Sequence, residues 1–251
     1  MKKPRAALQM DVNAPVVEKN VNMSNALTRA AHSLLLSEKR LIAACISKID
    51  SIPAGALALK GAWTVRLSAA EYAEAFEVDL DTAYSQLRSA SENLFNRYVR
   101  TVRETRKGPE EHKFRWVGGV TYHQGEGWVE LHWWHEVVPH LYGLRSEFTS
   151  YKLKQAAAMR STYSWRLFEC LQSWKDKGRY SPTIEDFQRA MDAPPSCTKD
   201  FKALRVRVIE PAVKELTEKN GLVIEWDVRR AGRKVIGLDF TFSVNPQTPL
   251  F

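Results

Sequence analysis

Four basic side chains lie close together toward the carboxy terminus, within the stretch TKDFKALRVRVIEPAVKEL at 198–216. Ammonium and guanidinium groups bind anions, and a guanidinium can also donate two hydrogen bonds at once to a phosphate or to the edge of a guanine base. That chemistry requires the groups to lie on the outward side of one element. The four side chains are Lys199, Lys202, Arg205 and Arg207.

The spacing of apolar residues in this stretch predicts an amphipathic helix. Ala203 and Val206 are short and lie among the cations, so the backbone can approach a surface as wide as the DNA major groove. Pro211 lacks the amide hydrogen that would bond to the Arg207 carbonyl, which predicts a kink. An ordinary solvated helix would show the same charges. The predicted buried side consists of Phe201, Leu204, Val208, Pro211 and Ala212.

A second basic group follows, between two alternating stretches that predict a β-hairpin, in GLVIEWDVRRAGRKVIGLDFTFSV. A cationic hairpin tip next to a cationic helix is what a winged helix uses, with the helix in a groove and the tip near phosphate. Charge that only keeps a hairpin tip soluble is the alternative. The predicted tip residues are Arg229, Arg230, Arg233 and Lys234.

Histidines and tyrosines raise the question of catalysis. His132 and His135 would point to opposite faces of a strand, and His140 lies off the i, i+4 register from His135, so we predict no metal site. An enzyme that nicks DNA through a tyrosine, in the manner of rolling-circle initiators, is the nearest catalytic alternative, with Tyr151 or Tyr163 as nucleophile. The sequence has no glycine-rich Walker loop, so we predict no ATP hydrolysis, no cofactor and no catalytic residue.

Composition limits the class of partner. The chain has 251 residues, 44% of them hydrophobic, which is enough for one large or two ordinary domains. A net charge of +8 favours an anionic partner such as nucleic acid. No apolar run is long enough to cross a membrane and the start lacks the hydrophobic core of a signal peptide, so we expect a cytoplasmic protein. The three cysteines are predicted to be reduced core residues.

The elements that would position these groups repeat along the chain. In the first half, we predict a helix at 37–49, a strand at 63–67, a helix capped by Ser68 and a helix capped by Asp79 or Asp81. A β-hairpin with the tip RKGPEEH follows. The second half has the same order, and its second helix begins at Thr183.

We therefore predict an α+β fold of two tandem winged-helix domains, each a helical cluster with a β-hairpin wing. The amino-terminal segment is polar and aperiodic, which predicts a flexible arm. The predicted limits are 1–22 for the arm, 23–143 for the first domain and 144–251 for the second.

The chain resembles the plasmid replication initiators that bind iteron repeats, the Rep family typified by the initiator of the F plasmid. The resemblance covers about residues 24 to 245. Several motifs in order carry it: NALTRAAHSLLLSEKRLI, LYGLRSEFTSYKL, STYSWRLFECLQSW, FKALRVRVIEPAVKEL and GRKVIGLDFTF. The fold that it implies is two winged-helix domains in tandem, in agreement with the repeated element order.

This resemblance implies a sequence-specific binder of double-stranded DNA. Monomers would bind direct repeats at a plasmid origin and recruit host replication proteins, the host initiator and helicase. Dimers, in equilibrium with monomers and with chaperones as further partners, would bind an operator inverted repeat and repress the initiator's own promoter. A purely transcriptional repressor would use the same DNA-binding residues. We predict no membrane partner for either an initiator or a repressor.

By position, the resemblance implies that Lys199, Lys202, Arg205 and Arg207 read bases and that the hairpin tip lies near phosphate. Many relatives have a basic residue where this chain has Val206, which leaves the assignment of bases open. The first domain would dimerise and bind the adjacent groove through the counterpart helix. The residues implied there are Thr82, Tyr84, Ser85, Gln86 and Arg88.

Overall fold

The computed structural model describes residues 14–49 and 63–244, and one order of elements occurs twice in them. Each unit consists of a helix, a strand, two helical segments and two strands, and each has a three-stranded antiparallel sheet with its first strand beside its last. The first unit contains α2 (Leu36–Ile49), β2 (Thr64–Ser68), α3 (Ala69–Phe76), α4 (Leu80–Leu94), β5 (Val117–His123) and β6 (Trp128–Trp133). The second contains α6 (Thr162–Gln172), β8 (Arg179–Tyr180), α7 (Ile184–Ala190), the segment 195–220, β9 (Leu222–Ala231) and β10 (Lys234–Val244).

The remaining elements flank these units. A hairpin of β3 (Tyr98–Thr105) and β4 (Gly108–Arg115) is inserted between α4 and β5. Strand β1 (Asn20–Ser24) pairs with β7 (Phe148–Lys152), which joins the start of the described chain to the segment after the first unit. Short helices α1 (Asn25–Arg29) and α5 (Leu153–Ala157) follow β1 and β7.

Local signals place the helix starts as the sequence predicts. The Ser68 hydroxyl accepts a hydrogen bond from the Glu71 amide, and the Glu71 carboxylate accepts one from the Ser68 amide, which forms a capping box. Asp79, the first of its two predicted candidates, caps α4 by accepting from the Thr82 amide. Thr183 caps α7 in the same way. Each cap satisfies an amide that has no partner within its own helix.

The predicted tip of the first hairpin is wrong in extent and in place. Only Arg106 and Lys107 form the turn, and Gly108–Arg115 continues as strand β4. The β3–β4 hairpin also lies outside the three-stranded sheet of the first unit, whose own hairpin is β5–β6 with its turn at 124–127. Two hairpins in succession have the same alternating pattern, so periodicity alone could not assign the wing.

The predicted flexible arm is also too long. Residues 1–13 lie outside the described residues, but a short 3-10 helix at Val16–Glu18 and strand β1 follow them. Val16, Val21 and Met23 are buried. The pairing of β1 with β7 could not be predicted from the sequence, because the two strands lie far apart in the chain. The predicted boundary at residue 143 falls between these two paired strands, and the domain limits themselves stay a prediction.

A fully buried ionic cluster joins the two halves. The Lys39 ammonium on α2 lies 2.7 Å from the Glu169 carboxylate on α6, and the same carboxylate accepts from Arg166 at 3.2 Å and from the Tyr151 hydroxyl at 2.8 Å. Arg166 also donates to two backbone carbonyls, of Ala30 before α2 and of Ala190 at the end of α7. Because these donors and acceptors come from both halves, the cluster fixes one half against the other.

Histidine completes the cluster in its neutral form. Burial, and secondly the charges of Arg166 and Lys39, hold the pKa of His32 well below its ordinary value. Its Nε2 lies 2.7 Å from the Leu27 carbonyl oxygen, which requires Nε2 to be the donor. Nδ1 is then free to accept from the Arg166 guanidinium at 3.0 Å.

Candidate nucleic-acid interface

The predicted basic stretch forms a helix that is less regular than expected. Helix α8 (Pro195–Lys199) ends before an extended residue, Asp200. A continuous helical run follows from Phe201 to Asn220, in which α9 (Phe201–Leu204) and α10 (Glu210–Asn220) are joined by a π-helical turn at Arg205–Ile209. We call the run 201–220 the basic helix. The sequence predicted a single helix that begins at residue 198. This prediction was wrong, because Lys199 lies at the end of the separate helix α8.

The basic helix has a buried apolar side and an exposed cationic side. Leu204, Val208, Ile209, Ala212 and Leu216 are buried in the core of the second unit. Lys202, Arg205 and Arg207 are exposed, as is Lys199 on the preceding turn. The π turn lies one turn before Pro211, whose missing amide hydrogen removes the regular bond to the Arg207 carbonyl. The irregularity predicted at Pro211 therefore takes the form of a wider turn beneath the cations.

Most of this charge has no internal partner. Arg205 lies 3.2 Å from the Glu210 carboxylate, and both side chains are about half exposed, so the pair is weak and easily exchanged for another anion. Among the residues that the structure describes, Lys199, Lys202 and Arg207 form no ion pair. We call the four exposed side chains Lys199, Lys202, Arg205 and Arg207 the cationic surface.

The β9–β10 hairpin confirms part of the predicted basic tip and corrects the rest. Arg230, Arg233 and Lys234 are exposed around the turn at Gly232. Arg229 is turned the other way. Its guanidinium donates to the Pro182 carbonyl at 2.6 Å and lies 3.4 Å from the Asp239 carboxylate.

Glycine allows this inward turn. A Cβ atom at Gly237, the β10 residue paired with Arg229, would clash with the Arg229 guanidinium. A hydrogen bond from Ser181 and the charges of Arg179 and Arg229 lower the pKa of Asp239, which keeps the carboxylate charged beside the arginine. Arg229 therefore holds the segment that follows β8 against the sheet. Its side chain is partly exposed but points away from the tip at which it was predicted to lie.

In the first unit, two of the five predicted side chains are engaged within the protein. The Gln86 amide oxygen accepts from the Tyr72 hydroxyl at 2.7 Å, and the Thr82 hydroxyl donates to the Asp79 carboxylate. Tyr84 packs against the turn of the β5–β6 hairpin, where a side chain on Gly127, at a φ of 63°, would clash with its ring. Of the five predicted residues, only Ser85 and Arg88 are exposed.

A groove of about 520 Å³ lies between α4 and the β5–β6 hairpin. Tyr122 and Gln124 line it from the hairpin side, opposite the α4 residues. Sequence reasoning missed these two residues because it placed the wing on β3–β4. The groove-facing side chains on α4 are Tyr84, Ser85, Arg88, Ser89 and Glu92.

The two helical segments differ in charge. Residues 69–94, which include α3 and α4, contain six acidic residues and one basic residue, Arg88, a net charge of −5. The corresponding residues 184–220 of the second unit contain seven basic and seven acidic residues, a net charge of zero, and four of the basic residues lie together at 195–209 with one acidic residue. Arg88 is also paired with Glu92 at 3.2 Å. Phosphate would be attracted to residues 195–209 of the second segment and repelled by the first segment.

The residues considered for catalysis are not brought together. His132 is exposed on β6 beside Glu130, whereas the His140 ring accepts or donates at the Ser24 hydroxyl. No cluster of metal-binding side chains occurs in the described ranges. Tyr151 is buried and bonded to Glu169, so it cannot reach DNA as a nucleophile, and Tyr163 is about half buried on α6.

Comparison with known proteins identifies the family. A family model described as "Initiator Replication protein, WH1" matches residues 20–172, which is more than half of the chain, and one described as "Initiator Rep protein, WH2" matches residues 183–242. The chain belongs to the initiator replication protein family. Both predicted winged-helix domains are thereby confirmed, and the first model extends through β7 and α6, past the predicted boundary at 143.

Two relatives from Escherichia coli are 25% identical to this initiator family member. One is an "Uncharacterized 27.6 kDa protein", aligned over 92% of this chain and 96% of its own length. The other is a "Replication initiation protein", aligned over 90% of this chain and 70% of its own length. The solved structure of the Pi initiator protein in complex with iteron DNA has the same fold, with a TM-score of 0.73, 18% identity and coverage of 92% of this chain and 99% of that one. Within the part of the chain that the structure describes, no helix is long and apolar enough to cross a bilayer.

Proposed function

We propose that this chain is a plasmid replication initiator that binds directly repeated sites in origin DNA and has no catalytic activity of its own. The observation that carries the proposal is the cationic surface on the basic helix of the second unit. Three of its four side chains have no ion-pair partner among the described residues, and the apolar side beneath them is anchored in the core. Such a helix can enter a major groove without unfolding the domain.

Two kinds of contact would supply the binding. Lys199, Lys202, Arg205 and Arg207 are candidates for base readout, while Arg230, Arg233 and Lys234 on the hairpin would bind phosphate. Release of counterions from the DNA would give most of the affinity and make it steeply salt-dependent. The relative solved with iteron DNA has the same two-unit fold over almost its whole length, which supports duplex DNA as the ligand.

The first unit would have an accessory role. Its α4 groove, with Ser85 and Arg88, would lie over the adjacent part of the site, although the net negative charge of the segment 69–94 limits phosphate binding there. Dimerisation through the first unit, binding of an operator inverted repeat, recruitment of the host initiator and helicase, and chaperone-assisted dissociation are further parts of the proposal. The chain would act in the bacterial cytoplasm on its own plasmid.

Footprinting of the full chain on the DNA around its own gene tests the proposal. We expect several protected sites of one sequence in the same orientation, spaced in phase with about one helical turn. A single protected inverted repeat, with no direct repeats, would instead fit a pure repressor. A plasmid that lacks this gene but is maintained when the protein is supplied in trans would identify an initiator.

The alternative function, a DNA-nicking enzyme, can be tested with the same purified protein. Such an enzyme would remain covalently joined to a single-stranded origin fragment through a tyrosine. Incubation with that fragment and magnesium or manganese, followed by denaturing electrophoresis, should give no adduct. A stable adduct that is lost on changing Tyr163→Phe would contradict the proposal.

A further inference from the structure

One exposed side chain at the centre of the cationic surface is apolar. Val206 has 48% of its surface exposed and lies between Arg205 and Arg207, whereas its neighbours Leu204 and Val208 are buried. A single exposed apolar residue is common on proteins and carries no meaning by itself. The position of Val206 matters because any DNA that binds both arginines must cover it.

The backbone around Val206 provides a rigid and narrow contact point. A valine in a helix has one strongly preferred rotamer, so little conformational freedom is lost when it meets a partner. Ala203 lies one turn earlier on the same side and is half buried. With two short side chains in line between long cations, this strip of the helix can come close to the floor of a groove.

The floor of the major groove has one apolar group to offer such a residue, the C5 methyl of thymine. The geometry points to Val206 as a specificity-determining residue that contacts a thymine methyl, between the groups that Arg205 and Arg207 bind. The inference rests on the proposed function and adds to it an apolar element of readout that the charges alone do not supply.

Deoxyuridine substitution tests this contact, because deoxyuridine pairs as thymidine does but lacks the methyl. The full chain would be titrated with duplexes of its footprinted repeat in which each thymidine in turn is replaced by deoxyuridine. We expect one position to weaken binding about fourfold, the value of about one buried methyl-sized group. Val206→Ala should bind the thymidine site about fourfold more weakly and lose all sensitivity to deoxyuridine at that position.

Val223→Ala is the matched control. Val223 is a second exposed valine, 45% exposed on β9. Its variant should keep the full deoxyuridine effect. If Val206→Ala remains as sensitive as the unaltered chain at every position, or if no position is sensitive, the inference is overturned while the footprint and the proposed function stand. If the chain protects no sequence at all, both fail together.

Discussion

The two helical units of this chain have the same order of elements and the same sheet order, but the helices that they expose at corresponding places differ in charge. In the second, an apolar side buried in the core holds a helix with exposed Lys202, Arg205 and Arg207. In the first, the matching helix α4 exposes Ser85 and Arg88 beside acidic neighbours. Two units with the same fold can therefore contribute unequally to DNA binding, because the exposed residues of each helix vary independently of the buried ones.

The buried carboxylate of Glu169 contacts Lys39 of the first unit and Arg166 of the second, and Glu169→Gln would weaken this connection. The change leaves the Lys39 and Arg166 cations buried without a carboxylate, which should lower the free energy of unfolding by about 3–5 kcal/mol. Lys39→Met is the control and should cost less, since Glu169 keeps Arg166 and Tyr151. Urea denaturation of both variants measures the difference, and equal losses would argue against a carboxylate-centred cluster.

Removal of one arginine from each unit tests the unequal division of binding directly. Arg207→Ala should cost about 1–3 kcal/mol on the true repeat and much less on random DNA, because a guanidinium contact to a base is lost. Arg88→Ala, in the counterpart helix, should cost less than half as much because its guanidinium is already paired with Glu92. Titrations at one fixed salt concentration make the comparison, and equal losses from the two variants would show that the units contribute equally.

The pH dependence of stability tests the same buried ionic cluster. Burial lowers the pKa of Lys39 to about 8, from an ordinary value near 10.5. Between these two values the unfolded chain binds the proton and the folded chain does not, so stability should rise with pH, by at most about 1.4 kcal/mol per pH unit. Below pH 8 both states are protonated and this contribution is flat. Lys39→Met should remove the rise, which thermal unfolding from pH 7.5 to 9.5 would detect.

Substitutions of two arginines in the β9–β10 hairpin should affect DNA binding and folding stability separately. Arg233→Ala should reduce the slope of log affinity against log salt by about 0.9, the loss of one phosphate contact. Arg229→Ala should leave that slope unchanged and lower the melting temperature instead, because its guanidinium holds the Pro182 carbonyl and Asp239. A reduced slope for Arg229→Ala would mean that this side chain turns outward on DNA.

The smallest expected effect is a gain. Glu92→Gln should tighten DNA binding about twofold at low salt, since it frees Arg88 and removes a negative charge from the α4 groove. Glu218→Gln breaks a pair of the same i, i+4 spacing with Lys214 on α10 and should change nothing. The gain should disappear at high salt if it is electrostatic, and its absence at low salt would place α4 away from the DNA.

Local signals explain what the sequence could predict. Ser68, Asp79 and Thr183 cap their helices as expected, since a cap depends on residues three positions away. Leu204, Val208 and Ala212 on the buried side of the basic helix also followed from the spacing. The exposed position of its cations was predicted for the same reason. Pro211 was predicted to be buried on that side, and this was wrong because it is exposed.

Contacts between distant segments explain the rest. The inward turn of Arg229 depends on carbonyl groups contributed by residues 181 and 182, and the β1–β7 pair joins residues that the sequence separates widely. The choice between the β3–β4 and β5–β6 hairpins depends on which one pairs with β2. No pattern within a short window contains that information.

The π turn at Arg205–Ile209 makes the cationic surface depend on the number of residues in this segment. Such a turn is a helix that accommodates one residue more than a regular ladder would hold. Because the wide turn absorbs that residue locally, deletion of one residue there would let a regular helix form and leave Lys202 facing nearly the same way relative to α10. The side chains from Arg205 to Arg207 lie within the turn itself, so their directions and spacing would change. The wide turn therefore sets the spacing of the central cations, and a shortened variant could fold as before and yet bind a different target.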